Sequence, residues 1–156
     1  MAEIAFYHLL RSGPEQVLPQ LLGRTLALGE RAVIYCGNPA RLAALDDALW
    51  LATQPDWLPH GTSETGHADL QPIWLTTADE APNGARFLFL IDGAESRRLD
   101  AYVRVFDLFD GNDAAQTAAA RERWRAYQAA GHAVTYWQQG AKGWERRGVK
   151  AGDVAG

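Results

Sequence analysis

Cysteine and lysine are scarce in this chain, and long apolar runs are missing. Cys36 is the single cysteine of 156 residues. No intramolecular disulfide or C-x-x-C site can form, which fits a reducing cytoplasm. Its setting, Val33-Ile34-Tyr35-Cys36, reads as a strand and predicts a buried structural thiol rather than a nucleophile. No apolar run exceeds the length of Phe87–Ile91, whereas a spanning helix needs about 20 apolar residues, so no transmembrane segment is expected. Met1-Ala2-Glu3-Ile4 has no basic region and no long apolar stretch, so no secretory signal is expected either. Lysine occurs only at 142 and 150, and the other basic residues are arginine. Arginine favours bidentate contact with carboxylate or phosphate, although genome base composition produces the same bias. The net charge of −4 argues against a domain that wraps nucleic acid, while leaving room for a local basic patch.

A glycine-rich phosphate loop is also missing. The turn after the first strand is Leu10-Arg11-Ser12-Gly13-Pro14-Glu15. It has one glycine, and Pro14 removes an N–H that a bound anion would need. No Walker sequence occurs. These absences argue against dinucleotide or nucleoside triphosphate binding.

What is present describes one ordinary globular domain. The length and the 47% hydrophobic content suffice for a core without disulfides or metal. Six tryptophans are many, and tryptophan is enriched at recognition surfaces. Ile4 to Leu9 reads as a strand. Ser12-Gly13-Pro14-Glu15 has the spacing of a capping box, with proline early in the helix. Val17, Leu18, Leu21, Leu22 and Leu26 follow at helical spacing, with Pro19 expected to kink that helix or delay its start. Arg31 to Cys36 reads as a second strand. Asn38-Pro39 starts a second helix that Leu42, Leu45, Leu49 and Trp50 carry to about Ala52. Residues 53–71 read as a long loop, a class often functional or mobile. Strands are expected over Ile73–Thr77, Arg86–Ile91, Val103–Phe109 and Ala133–Gln138. A short helix fits Ser96–Tyr102. A long helix, capped by Asn112 or Asp113, runs through Ala130 and stops at Gly131. Gly143–Arg147 either pairs with the last strand or forms a loose end. This order predicts a single α/β domain with a largely parallel central sheet flanked by helices. It spans residues 1–148 and leaves 149–156 as a flexible tail.

Candidate chemistry is thin. His60 and His67, with Glu64 and Asp69 nearby, match no metal spacing and read as polar loop residues. Asp46 and Asp47 are adjacent on a helix and point apart. Asp92-Gly93 ends a strand, where α/β enzymes often keep a catalytic group, yet Asp-Gly more commonly marks a turn. Ser12 and Ser96 read as caps, outside any G-x-S-x-G elbow. No catalytic residues, metal site or cofactor site are assigned. The last long helix is more informative. Arg121, Trp124, Arg125 and Gln128 recur at i, i+3, i+4 and i+7 and share one face. Two guanidinium groups beside an indole suit an acidic peptide with an apolar anchor. The alternative is a solvated face with one aromatic tucked into the core. Trp57 and Leu58, between Pro55 and Pro59, either plug the core or present an anchor to a partner.

Several segments, taken together and in order, resemble the chi subunit family of bacterial DNA polymerase III. They are Phe6-Tyr7-His8-Leu9, Leu45-Asp46-Asp47-Ala48-Leu49-Trp50, Trp57-Leu58-Pro59-His60-Gly61, Gln71-Pro72-Ile73-Trp74-Leu75 and Phe109-Asp110-Gly111. Ala120-Arg121-Glu122-Arg123-Trp124-Arg125-Ala126-Tyr127 and Gly131-His132 through Tyr136-Trp137-Gln138 complete the set. The resemblance covers about residues 4–147. It implies a Rossmann-like fold, no catalysis of the chain's own, no cofactor, and a cytoplasmic, replisome-associated accessory subunit of a DNA-directed DNA polymerase complex. The implied partners are the acidic C-terminal tail of single-stranded DNA-binding protein and the psi subunit or another clamp-loader component, with DNA reached only indirectly and no membrane. Arg121 matches the family's tail-binding arginine. Trp124 stands where other members have Tyr, Arg125 where they often have Lys, and Gln128 where some carry a basic residue. Trp50, Trp57 and Leu58 fall at positions linked to partner contact. The rival readings are a small α/β enzyme with an unfamiliar site and an interaction module of another pathway.

Overall fold

The computed structural model describes residues 2–52 and 58–147. Trp57 and the tail 149–156 lie outside the described residues. The elements are β1 (Glu3–Leu9), α1 (Pro14–Ala27), β2 (Ala32–Cys36), α2 (Pro39–Leu51), β3 (His60–Gly61), β4 (Ile73–Thr76), β5 (Phe87–Ile91), β6 (Arg104–Asp110), α3 (Ala114–Ala129), β7 (Ala133–Gly140) and β8 (Gly143–Arg147). Single 3-10 turns occupy Ala68–Leu70 and Leu99–Ala101. The described strands form one sheet in the order β3-β4-β2-β5-β6-β1-β7-β8. Every pairing is parallel except β7 with β8. The α/β expectation therefore holds.

Alternation along the strands decides which helix covers which face. Ala5, Tyr7, Ile34, Phe89 and Phe106 turn toward α1 and α2, where they meet Leu18, Leu22, Leu45 and Leu49. Ile4, Phe6, Val33, Leu88, Val105 and Phe109 turn the other way, toward Ala120, Trp124 and Tyr127 of α3. The middle strands are buried on both faces and so read as continuous apolar runs, as a parallel sheet requires. Cys36 is buried, its thiol donates to the Asn38 carbonyl at 3.3 Å, and burial pushes its pKa up. It is the inert thiol that its setting predicts.

Several local expectations shift. The cap of α1 is Gly13, whose N–H donates to Gln16 Oε1 at 2.8 Å, not the Ser12/Glu15 pair. Ser12 Oγ instead accepts from Gln139 Nε2 at 2.7 Å, and Glu15 holds Arg41 at 2.5 Å. Helix α1 runs from Pro14 through Pro19 with Pro19 buried inside it, so the proline does not delay the start. Asn38 caps α2 through Ala40 N–H at 2.9 Å. Of the two candidates for α3, Asp113 is the cap, accepting from Ala115 and Gln116. Gly143–Arg147 pairs antiparallel with β7. The region read as loop contains the two-residue β3, which pairs with β4.

A candidate interaction surface on α3 and the end of α2

The face predicted for α3 divides when folded. Trp124 is 2% exposed. Its indole meets Phe6 edge-on with ring centroids 5.5 Å apart and Tyr136 at 6.1 Å. Such edge-to-face pairs add about 0.5–1.5 kcal/mol each beyond area burial. The expectation that Trp124 offers its ring to a peptide is thereby corrected: α3 must place one large side chain on the β1–β7 floor, and Trp124 is the residue whose position on the helix faces that floor. Arg121 is half-buried, while Arg125 and Gln128 are exposed. Arg125 donates to Glu122 at 2.5 Å on the surface. Arg121 Nε is shielded from solvent and has no hydrogen-bond partner among the described residues, and the same is true of Trp124 Nε1.

Sequence reasoning passed over Arg123. It reaches into the sheet and donates to both Asp107 carboxylate oxygens, at 2.7 and 2.9 Å. Burial pushes the Asp107 carboxyl up against the opposing pull of Arg123. The signal was available: an aspartate in Val105-Phe106-Asp107-Leu108-Phe109 sits mid-strand in an apolar run and demands a cation.

At the C-terminal end of α2, Trp50 and Leu51 are 59% and 79% exposed. Trp50 lies over His60 with ring centroids 4.4 Å apart. His60 is buried, with Nε2 at 2.9 Å from Asp46 Oδ1 and Nδ1 at 2.6 Å from the Leu58 carbonyl oxygen. Leu58 is 2% exposed and belongs to the core. As a surface anchor Leu58 is therefore corrected, and of its two readings the core plug is the one realised. His60 and His67 do not converge: the first turns inward, and the second is exposed with φ of 53°.

The turn after β1, where related folds hold phosphate, is filled from within. The N–H groups of Leu10, Arg11 and Ser12 all donate to Gln139 Oε1, at 3.1, 2.8 and 3.2 Å. Successive N–H groups of this kind form an anion-binding concavity, and here a side-chain amide occupies it. The adjacent crevice at the strand ends, about 250 Å³, is lined by Ser12, Arg41, Asp92 and Asn112. Arg41 on its wall is held by Glu15 and Asp92.

Segments far apart in sequence meet in pairs. His8 of β1 stacks on Phe109 at 4.8 Å, and its Nδ1 pairs with the Tyr136 hydroxyl. Gly111 lies so close that an added Cβ would strike the His8 ring. Asp46, Trp50 and His60 make the second junction. These contacts bring segments singled out by resemblance against one another.

Residues 1–135 match the family model described as DNA polymerase III chi subunit, HolC. The chain belongs to the DNA polymerase III chi subunit family. It is 25% identical over 121 residues to DNA polymerase III subunit chi of Escherichia coli (strain K12), covering 77% of this chain and 82% of that protein. It is 24% identical over 109 residues to the probable DNA polymerase III subunit chi of Rickettsia prowazekii (strain Madrid E), covering 68% and 66%. All of α3 and the α2 junction fall inside the family match, whereas most of β7 and all of β8 fall outside it. Among the described residues no helix is long and apolar enough to cross a membrane.

Proposed function

We propose that this chi-family chain is a non-catalytic linker. It joins the clamp loader of DNA polymerase III to single-stranded DNA-binding protein by gripping that protein's acidic C-terminal tail. The observation that carries this reading is Arg121 Nε, shielded from solvent and without an acceptor among the described residues, on the helix where the family resemblance puts the tail. A buried donor without a partner costs free energy that an incoming carboxylate would recover. Arg125 and Gln128 lie exposed on the following turns. Arg125 would trade its exposed Glu122 partner for the tail at little cost, because surface ion pairs are worth about 0–1 kcal/mol. Trp124 acts from below, holding α3 on the sheet. Exposed Trp50 and Leu51 form the contact for the psi subunit or another clamp-loader component, with Trp57 a further candidate. An enzyme reading has less support, since the N–H groups that would hold a phosphate are spent on Gln139.

Calorimetry with a tail peptide tests the assignment. Micromolar binding corresponds to about −8 kcal/mol. Arg121→Ala should weaken it roughly tenfold to a hundredfold, since a hydrogen bond to a charged group is worth about 1.5–3 kcal/mol. Rising salt should weaken it further. A folded Arg121→Ala protein that binds as tightly as the wild type overturns the reading.

A further inference from the structure

On the face of the sheet away from α3, helices α1 and α2 lean on β2 and β4, while toward β7 and β8 Thr135, Trp137 and Trp144 are only half-buried. There β1, β6, β7 and β8 frame a cleft of about 240 Å³ with Ala5, Ala133 and Thr135 as its floor and Arg104, Trp137 and Arg146 around it. The register puts them together: Trp137 pairs with Tyr7 on one side and with Arg146 on the other, and Ala5 pairs with Thr135. Trp137 lies nearly parallel to Tyr7, 20° between the rings. Arg104 sits 5.3 Å from the centre of the Phe106 ring, and Arg146 has no ion-pair partner among the described residues. Arg24 stands close enough to act on the Tyr7 phenol together with Arg104. Against these three cations one carboxylate among the described residues lines the cleft, Glu3, loosely placed 3.9 Å from Arg104. This local charge is opposite in sign to the net −4 of the chain.

We propose that this open face takes single-stranded nucleic acid, with a base against Trp137 and the small floor residues and its flanking phosphates between Arg104 and Arg146. A sheet face that combines aromatic rings with guanidinium groups is the physical recipe for holding unpaired bases. The floor of Ala and Thr carries only small side chains. It suits a planar ring better than the branched or aromatic anchor of an acidic peptide. The site is distinct from the α3 surface and from the end of α2, and its Trp137, Arg146 and β8 lie beyond the residues that the family model matches.

Fluorescence anisotropy of a labelled oligo(dT) of about 20 nucleotides, titrated with the full chain at about 50 mM salt, tests this. Binding should be detectable. Arg146→Ala should weaken it about tenfold and reduce the slope of log K against log salt by about 0.7, the share of one phosphate contact on a single strand. Arg97→Ala, an equal charge change on an exposed loop elsewhere, should stay within about twofold of wild type. Because Arg146 is exposed, its variant should remain folded, which circular dichroism checks. No binding by the wild type, equal losses in the two variants, or equal affinity for a duplex of the same length each overturns the proposal. Displacement of the oligonucleotide by an equal concentration of an acidic peptide also overturns it, and would assign the face to a protein partner instead. Tail-peptide calorimetry on the Arg146→Ala protein keeps this result separate from the α3 reading.

Discussion

Arg123 of α3 and Asp107 of β6 form a two-bonded ion pair, with the side chains only 6% and 2% exposed. It fastens the helix to the middle of the sheet through charge rather than through apolar contact. A buried pair of this kind contributes little net stability while both partners are present, because desolvation offsets attraction. Its removal by halves is another matter.

Arg123→Ala leaves a carboxylate buried and unpaired, so it should cost about 3–5 kcal/mol. Urea unfolding measures this. The double variant Asp107→Leu/Arg123→Met should recover most of the loss, since no charge is left stranded. Equal destabilisation in single and double variants would show that packing, not charge, sets the cost.

His8 makes stability acid-sensitive. Burial depresses its pKa below the ordinary 6.5, so the folded protein holds it neutral while the unfolded chain takes up a proton. Stability from this source is fully present above pH 6.5 and declines as pH falls below it. The urea midpoint should therefore drop between pH 7 and pH 5 by more in the wild type than in His8→Gln, which cannot titrate. Parallel pH curves for the two proteins would remove His8 from the account.

Gly111→Ala should be destabilising by about 1–3 kcal/mol, the usual range for overpacking, because the new Cβ would strike a His8 ring held by Phe109 and Tyr136. The compensating change is specific. His8→Ala in the same chain should relieve the clash, and thermal denaturation of the double variant should show less than the sum of the two single losses.

Gln139→Ala withdraws the one acceptor shared by the Leu10, Arg11 and Ser12 amides. Hydrogen exchange at those three amides should accelerate, with little change in the core strands. Gln139→Glu keeps an acceptor oxygen in the same place and should preserve their protection.

The order of strands and helices was legible because each element carries its own signal: period-two or continuous apolar runs for strands, Asn38-Pro39 and Asp113 for helix starts, and Gly131 for a helix stop. The cap of α1 was misread for a tertiary reason. Ser12 and Glu15 have the right spacing, but both are claimed by residues distant in sequence, Gln139 and Arg41. The candidate face on α3 was half legible. Helical spacing puts Arg121, Trp124, Arg125 and Gln128 on one face, yet spacing alone does not say how far the helix is rotated on the sheet. That rotation sends Trp124 inward and leaves Arg125 and Gln128 outside. The same rotation turns Arg123 inward, onto Asp107.

Local sequence by itself determined the α/β class, the inert Cys36, the turn that lacks a glycine-rich phosphate loop, and the family, because each rests on residues close together or on motifs in fixed order. Only the tertiary structure decided that Leu58 belongs to the core, that Gln139 fills the turn after β1, that Arg123 answers Asp107, and that Arg104, Trp137 and Arg146 share an open face. Each of those facts depends on how segments separated by many residues come together: the rotation of α3 for Arg123, the packing of a loop for Leu58, and strand register for Gln139 and the open face. Register is settled by the collective burial of the whole sheet rather than by any one segment.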